Sequence, residues 1–207
     1  MKKWPIIPTI LTVIAVAIML GLGVWQLQRK GEKEAQLATL WTNMRKPAIA
    51  YNMNGPVPES ALFRKSSVVC IRPVSWTQRS GSDNKGNSGY RYIADCVTGA
   101  EGPGALIVAG VADGPDQKIA WPGGIVSGII TREPDNRSII EKLFGPKRVL
   151  RPMLVSGEGL GGLRTPKPPT PAGLPNDHLL YAIQWFFFAS AASIIFVLAV
   201  RKKMAGK

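Results

Sequence analysis

The chain carries a single histidine, His178, and only two cysteines, Cys70 and Cys96, so the side chains that most often ligate transition metals are almost missing. A closed zinc site cannot be built from so few. No glycine-rich loop leads into a lysine, and no nucleophile elbow is present. The one histidine lies outside the middle of the chain, which leaves that region without an imidazole base. Acidic residues are scarce as well, 13 against 26 lysines and arginines. Asp113 and Asp116 form the nearest thing to a carboxylate pair, but they sit in a Gly-Pro turn where water solvates them. The glycines of 157–162 lack the lysine a phosphate loop needs and read as a turn. An enzyme relying on its own side chains is therefore a poor reading.

Charge is absent altogether from two stretches. Residues 4–28 and 179–200 contain none and are rich in Ile, Val, Leu, Ala and Phe. At about 1.5 Å per helical residue, each is long enough to cross a hydrocarbon layer of roughly 30 Å. A buried core helix would keep polar residues at some helical spacing, and these stretches keep almost none. The expected organisation is a short tail at 1–5, a transmembrane helix at 6–28, a domain at 29–177, a second transmembrane helix at 178–200 and a tail at 201–207. A cleaved signal peptide is the alternative for the first stretch, since Lys2 and Lys3 precede it and Gly21 and Gly23 lie near its end. The run passes through those glycines into Trp25, Gln26 and Leu27, as an anchor with an interfacial end does.

Lys2 and Lys3 on one side, with Arg201, Lys202 and Lys203 on the other, put both termini in the cytoplasm by the positive-inside rule; Arg29 and Lys30 pull weakly the other way. The long middle segment then lies outside, and without an Arg-rich amphipathic leader the host is a bacterial inner membrane and the domain periplasmic. The net charge of +13 owes six of its basic residues to the two tails, where lipid accounts for them. No basic stripe is interleaved with aromatics, so nucleic acid is not an expected partner.

In the middle, 32–44 reads as a short amphipathic helix following the first span. Residues 66–76, 90–97, 105–112, 124–131 and 149–156 read as strands, separated by breakers at 80–89, 99–104, 113–116 and 121–124. One later helix is expected at 138–144. This pattern predicts an α+β domain with an antiparallel sheet curled into a small barrel or sandwich. Five prolines in 166–175 predict a stiff spacer returning to the membrane. Cys70 and Cys96 both fall in predicted strands. They read first as two small buried hydrophobes, with a disulfide as the alternative in an oxidising compartment and a metal pair a distant third.

A helical hairpin with both ends on one side brings the end of the first span beside the start of the second. Two polar-aromatic clusters meet there: Trp25, Gln26 and Arg29, then His178, Tyr181, Gln184 and Trp185. Taken singly, the aromatics read as membrane-belt anchors, Arg29 as a snorkelling residue and His178 as a hydrogen-bonded interfacial side chain.

The string Gly21-Leu22-Gly23-Val24-Trp25-Gln26-Leu27-Gln28-Arg29 resembles the first-span signature of the surfeit locus protein family. Asn176-Asp177-His178-Leu179-Leu180-Tyr181-Ala182-Ile183-Gln184-Trp185-Phe186 is similar to that family's lead-in to its second span, with Asp177 where a second Asn is usual. An Asn-Arg-Gly-Trp stretch often found in the family is missing from 106–113. The resemblance implies a non-enzymatic assembly factor, a chaperone of respiratory chain biogenesis. It would assist delivery or insertion of haem a into subunit I of a cytochrome c oxidase, alongside haem a synthesis or other assembly factors. It makes His178 the candidate axial ligand to haem iron. Trp25, Tyr181 and Trp185 become ring-stacking surface, and Arg29 a partner for a propionate. Two other classes stand beside it. A membrane-tethered periplasmic binding or scaffold module without haem fits the same layout, although 201–207 is too short to hold an output domain. A membrane-anchored hydrolase would need a nucleophile and base that the domain does not offer.

Overall fold

A computed structural model describes residues 5–51, 53, 55–99 and 104–206. Lys2, Lys3, Lys207 and most of the breaker expected at 99–104 lie outside the described residues. The chain divides into two compact units, Met1–Leu37 with Leu174–Lys207, and Ala38–Gly173.

Helix α1 runs unbroken from Ile6 to Arg45. The separate amphipathic helix expected after the first span is the same helix continued: the pairs Arg29–Glu32 (2.6 Å) and Lys30–Glu34 (2.8 Å), at i,i+3 and i,i+4, bridge the exposed Gly31. Pro47 restricts residue 46 and stops it. The last two turns belong to the second unit. There Leu40 is buried, and the buried Asn43 donates through Nδ2 to the carbonyls of Glu59 (2.8 Å) and Leu62 (3.2 Å). Helix α3, His178–Ala205, ends with Lys202 and Lys203 in its last turn, where the helix dipole favours them.

The second unit is built on one six-stranded sheet. Its strands are β1 (Lys65–Cys70), β2 (Arg72–Ser82), β3 (Ser88–Val97), β4 (Ala105–Ala112), β5 (Gly124–Arg132) and β6 (Pro152–Ser156), in the spatial order β1-β5-β6-β4-β3-β2. The antiparallel expectation fails at one place: β4 and β6 run parallel, Leu106 to Val108 beside Met153 to Val155, so the sheet is mixed. These two central strands are buried along almost their whole length. They accordingly read as apolar runs and not as alternating ones. The chain returns past β4 at very short range; a Cβ on Gly110 would lie 2.5 Å from Cβ of Leu163, so only glycine fits.

The strand expected at 66–76 is two strands. β1 and β2 occupy opposite edges of the sheet yet are separated only by Ile71, so the sheet curls until its two edges meet at that corner. Cys70 and Cys96 form a disulfide there, with Cα atoms 5.4 Å apart. The reading of two unlinked buried thiols is thereby corrected. Pro73 of β2 pairs with Cys96, and Ile71 N–H donates to the carbonyl of Val97, so the corner brings both sulfurs into range.

The breaker expected at 80–89 is only a five-residue turn, because Ser80 to Ser82 stay in register with Tyr90 to Ser88. The turn closes around Asp83. Its buried carboxylate accepts from the backbone N–H of Lys85 and Asn87, from Asn87 Nδ2 and from Arg164 Nη1. Those bonds, that of the Asn87 side chain foremost, hold its pKa down to about 2. Arg164 also reaches the exposed Asp113, and Pro166 bridges to Asp83, so the proline-rich return starts packed on the sheet, with Pro166 and Pro171 fully buried. Helix α2, Ile139–Phe144, forms as expected behind the N-cap Ser138, which exchanges capping bonds with Glu141.

Candidate functional site

The first unit is a helical hairpin, and its inner seam follows from residue size. On α1 the partly or fully buried positions include Thr12, Val16, Met19, Gly23, Gln26 and Lys30, which recur at alternating steps of four and three. Facing them on α3 are His178, Ala182, Trp185, Ala189, Ser193, Phe196 and Val200, at steps of three or four. That spacing keeps one stripe toward the partner helix, as in a coiled coil. Small residues allow the close approach that membrane helices use in place of a hydrophobic drive. Gly23 is the tightest point: a Cβ there would meet the Phe186 ring at 2.6 Å.

Outside the seam the hairpin is apolar and uncovered. Ile7 is 72% exposed, Leu180 68% and Phe187 66%. Of the most apolar window in each long helix only 6% and 11% is buried inside protein, which is the inverse of a core helix. Both helices have the length and composition to cross a membrane.

At one end of the seam His178, the first residue of α3, faces Gln26, and Nδ1 lies 2.8 Å from the Gln26 Oε1. An amide oxygen only accepts, so in this contact Nδ1 is the donor. Trp185, two turns on, lies on the same side and meets Phe188 edge-to-face at 6.3 Å. Asn176 Oδ1, just before the helix, is buried with no hydrogen-bond partner among the described residues. Beginning about 9 Å along α1 from Gln26, an open apolar groove of about 340 Å³ runs between the helices, lined by Thr12, Val16, Leu20, Ser193, Phe196 and Val197 among others.

Of the residues singled out in the sequence, His178, Gln26 and Trp185 lie on the seam. Trp25 and Tyr181 turn outward, 49% and 53% exposed, as belt residues do. Arg29 is also outward, with Nη1 on Glu32. Gln184 is exposed, and the bond across the hairpin is made by His178. The tight pairing of Gly23 with Phe186 was not anticipated, and its only signal was a glycine within an apolar run.

The groups with displaced pKa values outside the spans lie in the other unit: burial raises Tyr51 and lowers Arg91, and the rest belong to ion pairs and caps. Asp135 is held at about 2 chiefly by the Arg137 side chain, and the Ser138 backbone N–H lowers Glu141. The Trp121 turn packs edge-to-face on Trp76 at 6.2 Å, a contact within the domain.

No individual curated protein matches the chain. The model of the SURF1 family matches residues 13–190, from within the first long helix to within the second, and so takes in both clusters and the sheet between them. The chain belongs to the SURF1 family.

Proposed function

We propose that this chain assists maturation of a haem-copper terminal oxidase by holding haem a at the hairpin on its way to subunit I. The SURF1 family acts in cytochrome oxidase assembly in general. The observation that carries it is the hydrogen bond between Gln26 and His178. A ligating histidine needs one ring nitrogen unprotonated and the other held by an oriented acceptor, and Gln26 provides that acceptor. The residues present therefore fit a haem. Bound haem a would supply an iron centre able to take an axial imidazole.

His178 would hold it through Nε2, and Trp185 and Phe186, about two turns further along α3, offer aromatic surface on the way to the groove. The groove between the helices offers apolar wall for a long hydrocarbon tail, and its exposure toward lipid lets an amphiphile enter sideways. Arg29 supports a propionate less strongly, because it is exposed and already paired with Glu32. In this reading both termini are cytoplasmic, the sheet domain is periplasmic in a bacterial inner membrane, and the disulfide fits that compartment.

A second reading rests on the packing of Gly23 against Phe186: Gln26 and His178 only lock the hairpin of a haem-free scaffold. Oxidase maturation in cells carrying single variants separates the two. His178→Ala is expected to abolish most haem a insertion with membrane levels of the protein unchanged, and Arg29→Ala to do far less. If Gln26→Ala and His178→Ala both lower protein levels and oxidase activity in parallel, the lock reading holds and ligation fails.

A further inference from the structure

Helix α2 spends none of its apolar surface inside the protein. Ile139, Ile140, Leu143 and Phe144 are 76%, 71%, 70% and 85% exposed, and at about 100° per residue they share one face of roughly 140°. The helix is nevertheless firmly built. Ser138 and Glu141 close a capping box, so the one carboxylate on the helix is engaged in its own cap. At the base of the loop Arg137 clamps Asp135 and the carbonyl of Pro146, and Arg148 reaches Glu133. A braced scaffold thus presents a bare apolar face, which a soluble surface would not keep without a use.

The rim of that face is basic. Lys142 flanks it, and the exposed Lys147 and Arg148 follow within four residues of Phe144. Apolar residues ringed by basic ones complement anionic headgroups over acyl chains. Chain length keeps the domain close to the second long helix: four residues, 174–177, separate Gly173, the end of the domain, from His178, and the five steps span at most about 18 Å.

We propose that α2 is a lipid-docking element, seating Ile139, Ile140, Leu143 and Phe144 at the headgroup-acyl boundary of the bilayer that holds α1 and α3, with Lys142 and Lys147 on anionic headgroups. It rests on the reading of the two long helices as membrane spans. Tethering makes the docking intramolecular, so a weak intrinsic affinity suffices. Docking then adds a membrane contact of the sheet domain to the two chain connections that tether it.

The full-length chain in nanodiscs of phosphatidylcholine and phosphatidylglycerol provides the test. Cys70 and Cys96 are tied up in the disulfide, so a fluorophore on Ile140→Cys reports α2 alone. Shallow nitroxide lipids are expected to quench it, and aqueous iodide severalfold less than in the same labelled protein carrying Leu143→Glu and Phe144→Glu. No residue of α2 is buried, so the double variant leaves the domain folded. Removing phosphatidylglycerol is expected to raise iodide access part of the way. Iodide access equal in both proteins overturns the proposal, and so does protection that appears only when oxidase subunits are added, which makes α2 a protein contact. A second label on Ile14→Cys checks the premise: if deep nitroxide lipids fail to quench it, the spanning reading falls, not the docking one.

Discussion

The hairpin and the sheet domain solve the same problem, holding a chain in one arrangement, with opposite means. The hairpin uses small residues and one hydrogen bond along a seam, and leaves its apolar bulk outside. The domain hides its apolar bulk in two central strands and pins its periphery covalently and ionically, with Cys70–Cys96 at one corner and Asp83–Arg164 at the hairpin turn. The difference follows from the solvent. Lipid gives no reward for burying Leu or Ile, so fit decides; water rewards it strongly, so the domain can accept a mixed topology and then staple it.

The comparison breaks most readily at the disulfide. Closing a loop of 26 residues lowers the entropy of the unfolded domain by an amount worth about 3–4 kcal/mol. Reduction, or Cys70→Ala with Cys96→Ala, is expected to lower the melting temperature of the strand signal in circular dichroism and to leave the helical signal of the detergent-held hairpin unmoved. Parallel loss of both would mean that the two units fold as one.

Gly23→Leu sharpens the comparison from the other side. The new side chain must displace the Phe186 ring, and overpacking of this kind costs about 1–3 kcal/mol. Cross-linking between cysteines placed at Leu20 and Phe196 is expected to fall, with the melting of the domain unchanged. Cross-linking at the wild-type rate would remove Gly23 from the seam.

The smallest effect lies in the acid limb of domain stability. Asp83 titrates at about 2 when folded, below the ordinary aspartate value near 4. The stability it adds is therefore present above about pH 4 and drains away as the pH falls toward 2. Asp83→Asn is expected to weaken the domain at pH 7 and to flatten the loss between pH 4 and pH 2, leaving the share owed to Asp135. An acid limb as steep as in the wild type would show that Asp83 carries none of it.

How far each unit was legible follows the same division. The two long apolar helices could be seen because composition alone reveals them. Their true ends, Arg45 and Ala205, depend on charged helix formers, such as the Lys30–Glu34 pair, that carry no hydropathy signal. In the domain the strands show locally through β-branched residues, but the parallel neighbours β4 and β6 and the jump of the chain across Ile71 are non-local, and periodicity says nothing about them. Burial of Cys70 and Cys96 was readable; their facing one another was not, since it depends on that jump. At the site both clusters were visible as motifs. Gln184 stands six residues from His178, which is roughly two thirds of a turn round the helix and off the seam. Only the phase of the packing, set by Gly23 and Ala182, selects Gln26 as the partner.

The central claim is that His178, oriented by Gln26, ligates haem iron. The direct measurement is the visible absorption spectrum of the detergent-purified full-length chain from cells making haem a, taken beside that of His178→Ala. A low-spin haem a band in the first and its loss in the second is the predicted result; a band of equal height in both, or none in either while oxidase maturation still depends on the chain, would contradict it.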